Sequence, residues 1–125
     1  MALDRTCTNK GYLLGRLFAV FEKVQQDTHP GLNATITDRF YGAASTNPVT
    51  VFTQLMRLNR HHLSSYENNG LKVVREKEIG EIINAIDSFP AHLDLNEQSY
   101  FAIGYYHEKQ SFFESNKSDK SEGDN

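Results

Sequence analysis

Arg57, Arg60 and His61 stand at i, i+3 and i+4, a spacing that on an α-helix gathers their side chains on one patch of surface. Guanidinium forks match phosphate oxygens bidentately, and Thr53 and Ser64 place hydroxyls along the same stripe, suited to neutral hydrogen bonds with a sugar–phosphate backbone. Such a patch neutralises charge and does not read bases. The same spacing also describes an ordinary solvated helix face, since paired surface arginines are common; spacing alone leaves both readings open.

Arg16, Lys23 and Arg39 are candidates for the same backbone contacts, and Tyr12, one turn before Arg16, is a candidate for stacking on unpaired bases as single-strand binders do. Half-buried packing is the other reading of that tyrosine. The remaining chemistry is sparse. His61 and His62 are adjacent, so they diverge by about 100° on a helix and are badly placed for one ion, and His107-Glu108 has the same fault. No i, i+4 histidine pair, nucleophile–base context or Gly-rich phosphate loop is present. No catalysis, metal or cofactor is therefore expected, and His62, on the apolar flank, is expected to be a core-edge histidine with a hydrogen-bond partner.

These side chains need a scaffold, and 125 residues suffice for one domain that buries roughly two thirds of its unfolded surface. The net charge of −3 argues against a polyanion partner, but its distribution is uneven: residues 1–60 hold seven Lys/Arg and four Asp/Glu, and residues 61–125 hold six and twelve. Cys7 is the single cysteine, which excludes an intrachain disulfide and a thiolate zinc site. No apolar run approaches the ~20 residues of a membrane span, and MALDRTCTNK lacks the apolar centre of a signal peptide, so a soluble, cytoplasmic chain is expected.

Periodicity predicts an all-α fold, a single compact bundle of about five helices over residues 10–114, with an N-terminal extension at 1–9 and a disordered tail at 115–125. Helix one, from about Lys10 to Asp27, carries Leu13, Leu14, Leu17, Phe18, Phe21 and Val24 on its apolar face, with Tyr12, Arg16 and Lys23 opposite. Helix two begins after a Thr35 cap. Asn47 caps helix three, whose first position is Pro48, where a missing N–H does no harm. Asn69-Gly70 supplies a stop, and helix four runs to about Ser88. Asp94 and Glu97 form a capping-box-like start for helix five, roughly Leu95 to Ser115. That helix is aromatic on more than one side: Tyr100, Phe101, Gly104, Tyr105 and Phe112 share one face, and Tyr106 and Phe113 point nearly opposite. Two readings follow, a central helix of the bundle or a second apolar surface at Tyr106 and Phe113 for another subunit.

Four segments in order, YLLGRLFAVFEKVQ at 12–25, NATITDRFYGAASTNPVTVFTQLMRLNRHH at 33–62, IGEIINAIDSFPAHL at 79–93 and QSYFAIGYYHEKQSFF at 98–113, resemble the C-terminal helical region of the large subunit of type I-C CRISPR Cascade. That region is also made separately, by internal translation, as the Cascade small subunit. The resemblance implies a non-catalytic subunit of a cytoplasmic antiviral ribonucleoprotein complex. Its partners would be the large subunit, the repeated backbone subunits and another copy of itself, lying along the guide RNA–target DNA duplex and the displaced strand, with cutting left to a separate nuclease. Exposed cations would then act as backbone contacts, while guide pairing reads the sequence. A helical assembly scaffold with only protein contacts, its basic face meeting acidic neighbours, is the alternative that the net charge favours.

Overall fold

Four of the five helix starts coincide with short polar side chains that satisfy free backbone N–H groups. The computed structural model describes residues 3–123, with side chains to residue 114. It holds α1 (Lys10–Thr28), α2 (Ile36–Thr46), α3 (Pro48–Leu63), α4 (Asn69–Ile86) and α5 (Leu95–Gly123), with no strand among the described residues. Asn9 Oδ1 accepts from the Tyr12 N–H at 3.2 Å. Thr35 and Asp38 close a reciprocal capping box at α2, and the expected Asp94–Glu97 pair does the same at α5, with bonds of 3.1 and 2.7 Å. The tail expected to be disordered, 115–125, falls outside the residues whose side chains are described.

Two local expectations are corrected. α3 does begin at Pro48, but the Asn47 side chain makes no cap bond. Its Oδ1 lies 2.9 Å from His92 Nδ1, which ties the α4–α5 connection to the α2–α3 corner. Leu93 N–H donating to Thr46 O at 3.1 Å and Val49 N–H donating to Pro90 O at 3.2 Å fasten the same junction. Asn69-Gly70 does not stop a helix: it opens α4, because Asn68 accepts from the Leu71 N–H at 3.0 Å and so caps that helix. α4 ends at Ile86, where Asp87 adopts φ 68° and turns the chain out of the helix.

The central helix is α1, not α5. From Gly11 to Gln25 every α1 residue except Lys23 is buried, because α5, α4, α3 and α2 all pack on it. The expected apolar face meets α2, α3 and α4 side chains, and the Phe18 ring sits 5.6, 6.5, 6.0 and 5.9 Å from the rings of Tyr41, Phe52, Phe101 and Tyr105. The side read as polar is the seam with α5. There Gly11, Gly15 and Gly104 let two backbones touch: a Cβ on Gly15 would lie 2.0 Å from Phe101 O, and one on Gly104 2.1 Å from Tyr12 O. Contacts from Gly11–Glu97 through Gly15–Phe101 to Arg16–Glu108 advance together along both helices, so α1 and α5 run parallel. No described helix is long and apolar enough to cross a membrane.

Candidate nucleic-acid interface

α3 presents the predicted patch because its inward side is committed. Val51, Phe52, Leu55, Asn59 and His62 are buried against the core, which turns Arg57, Arg60 and His61 outward, all three exposed. Neither arginine has an ion-pair partner among the described residues. Arg60 and His61 also lie in the last turn of α3, where cations complement the helix dipole. The neighbouring hydroxyls are less available than their spacing suggests: Thr53 Oγ1 donates to Val49 O at 2.7 Å and Ser64 Oγ to His61 O at 2.6 Å. Their protons are already engaged with the helix backbone.

The other predicted cations divide. Arg39 is exposed, its guanidinium carbon 4.8 Å from the centre of the Phe40 ring. Lys23 is partly covered and pairs with Asp27 Oδ1 at 3.3 Å; the other oxygen of Asp27 accepts from Tyr66 Oη at 2.7 Å and faces Arg75 Nε at 3.5 Å. Arg16 is not on the surface at all. It is 5% exposed, and its Nε donates to Glu108 Oε1 at 2.9 Å, with Glu108 fully buried. Tyr12 is likewise corrected from a stacking platform to a core residue, 3% exposed. Its hydroxyl accepts from the Asp4 N–H and bonds His107 Nδ1, each at 2.9 Å. Both corrections have one cause, the docking of α5 on the side of α1 that carries them.

Glu78 of α4 completes the buried charge cluster. Burial first, then hydrogen bonding and charge from Glu108, push its carboxyl up to about 8. Arg5 Nη1, 3.9 Å from Glu78 Oε1, opposes this weakly, and that oxygen has no hydrogen-bond partner. The folded chain therefore holds a proton that the unfolded chain releases near pH 4.5. The contribution of Glu78 to stability is greatest below that value and falls as pH rises toward 8, with a slope of at most roughly 1.4 kcal/mol per pH unit. Urea unfolding at pH 5 and pH 8 should show this decline, and Glu78→Gln should flatten it by stabilising the protein at the higher pH. An unchanged slope in the variant would assign the pH dependence to other groups.

His62 is buried at the core edge as expected, but among the described residues its side chain has no hydrogen bond, and its neighbour is a ring that sequence spacing does not disclose. His29, just past the end of α1, packs its ring 4.9 Å from His62 and 5.9 Å from His61. Burial, then the charges of His29 and His61, lower the pKa of His62 and keep it neutral. No group of three or more His, Cys, Asp or Glu among the described residues is arranged to hold a metal ion. On α5, Tyr106 and Phe113 stand 65% and 57% exposed. Tyr100, expected on the buried face, is partly exposed as well.

A family model described as CRISPR-associated protein (Cas_Csd1) matches residues 1–113. No curated protein matches the chain.

Proposed function

The chain belongs to the Cas_Csd1 family of CRISPR-associated proteins, and from that membership we propose that it serves as a non-catalytic small subunit of a type I-C Cascade complex. It supports assembly beside the large and backbone subunits, and its outer α3 face touches the phosphate backbone of the guide–target duplex and the displaced strand. The observation that carries this reading is the state of Arg57 and Arg60: both exposed, both without a carboxylate among the described residues, on a helix whose other side is fixed in the core. Arginines held this way neutralise phosphate charge without refolding the protein. Two to four cations support only weak binding alone, so avidity within the complex supplies the remainder.

The test is target-DNA affinity of guide-loaded Cascade reconstituted with this chain over a salt series. Arg57→Ala with Arg60→Ala should weaken binding evenly across target sequences. It should also reduce the log–log salt slope by up to about 0.7 per lost single-strand phosphate contact, at unchanged subunit incorporation. Unchanged affinity and slope, with altered stoichiometry, would leave the scaffold reading, which the net charge of −3 favours.

A further inference from the structure

His29, His61 and His62 bring three imidazole rings together from two places in the chain, the end of α1 and the last turn of α3. The ring centres lie 4.9 Å apart for His29–His62, and 5.9 Å for both His29–His61 and His61–His62. His62 is buried, His29 half-buried and His61 exposed. Arg57 stands one turn before His61 on the outer face of α3, close enough to share a ligand with it.

No histidine of this cluster pairs with a carboxylate among the described residues. Asp27, two positions before His29, is engaged by Lys23, Tyr66 and Arg75. Residues 30–35 carry no titratable side chain, and α2 opens with Asp38 tied to the Thr35 cap and with Arg39 exposed. α3 adds Arg57 and Arg60, and residues 64–68 add Tyr66, bound to Asp27, and the exposed Glu67. Positive charge can gather at the cluster, and no carboxylate is bound there to neutralise it.

The local geometry favours gathering it. Thr28 Oγ1 donates its only proton to Val24 O at 2.8 Å, so the 2.8 Å contact between Thr28 Oγ1 and His29 Nδ1 is donated by the ring. Nε2 of His29 is then a bare lone pair in the neutral ring and a second donor once protonated. α1 and α3 both end at the cluster, and the negative ends of their dipoles stabilise an imidazolium. A phosphate oxygen would supply the full counter-charge that the chain itself does not. We propose that the cluster is a proton-coupled phosphate contact: as a nucleic-acid phosphate docks beside Arg57, His29 or His61 takes up a proton and binds it. The inference rests on the α3 reading above and adds to it His29 and a dependence on pH. His62 stays neutral and is the surface on which His29 packs.

The test is target-DNA affinity of guide-loaded Cascade containing this chain, measured at pH 8 and pH 6 in the same salt. Binding should tighten at the lower pH by about 5-fold or more, the low end of an ordinary coupling between two sites. His29→Gln with His61→Gln should bind as the unaltered chain does at pH 8, where an ordinary imidazole is neutral, and should lose the gain at pH 6 with its circular dichroism unchanged. Glu78 titrates in the same range, but both chains keep it, so its contribution cancels from the comparison. Titration calorimetry in two buffers of different ionisation heat measures the linkage directly, as proton uptake present with the unaltered chain and absent with the variant. Equal affinity at both pH values, or a pH dependence and proton uptake that persist in the variant, overturns the inference while the salt slope of the arginines stands. A complex whose affinity and salt slope ignore Arg57→Ala with Arg60→Ala overturns it together with the α3 reading.

Discussion

Gly15→Ala should destabilise the bundle by about 2–3 kcal/mol, although alanine is the better helix former by about 1 kcal/mol. The new Cβ would lie 2.0 Å from Phe101 O and 2.8 Å from Tyr105 N. Those atoms are backbone of a packed helix and cannot swing aside, so α5 must move off α1. Moving it disturbs the Phe18–Phe101–Tyr105 aromatic contacts and the Arg16–Glu108 bond together. Urea midpoints measure the effect, with an unchanged m-value marking it as a change in stability. Gly42→Ala and Gly80→Ala are the controls: both are exposed helical positions with nothing within 4 Å of an added Cβ, and each should gain about 0.5–1 kcal/mol. A stabilised Gly15→Ala would show that α1 and α5 do not touch as described.

Arg16→Ala should be the costlier change, at about 3–5 kcal/mol, because it strands the fully buried Glu108 carboxylate without its cation. Glu108 keeps its Ser111 hydroxyl bond at 3.2 Å, but the neighbouring group from α4 is another carboxyl, Glu78. Replacing both partners, Arg16→Met with Glu108→Leu, should recover most of the loss, since the apolar pair needs no compensating charge. Thermal melts of the three variants decide it. The result bears directly on nucleic-acid assays: Arg16→Ala would weaken binding by unfolding the chain, whereas Arg57→Ala with Arg60→Ala, both exposed, should change the melting temperature little. A double variant no more stable than Arg16→Ala would mean that the ion pair itself, and not the burial of a lone charge, sets the cost.

What was legible in the sequence was whatever is decided within a few residues. Thr35, Pro48 and the Asp94–Glu97 pair mark helix starts through local bonds or local sterics, and all three starts lie where they were expected. The apolar stripe of α1 from Leu13 to Val24 is equally local, and it is buried. The exposure of Arg57, Arg60 and His61 followed from the same periodicity on α3.

What was missed depends on residues far apart in the chain. Arg16 and Tyr12 read as an outer stripe because nothing near them announces Glu108, 92 positions on, or His107, 95 positions on. Asn47 has the type and place of a cap, yet its oxygen goes to His92, 45 residues away. The choice of α1 over α5 as the central helix turns on Gly11, Gly15 and Gly104. Glycine within a helix ordinarily lowers helix propensity, and here it lets the backbones of two helices touch.

The parallel seam between α1 and α5 also dictates an order of events during synthesis. The helix that most needs covering is made well before its cover, so α1 leaves the ribosome with Gly11, Gly15 and the buried edge of Arg16 facing water or whatever else is near. Closing a loop of that span costs about 4 kcal/mol of chain entropy before any contact is returned, and the core cannot shut until Phe101 and Glu108 have emerged. Closure of the core is thereby deferred until α5 has left the ribosome.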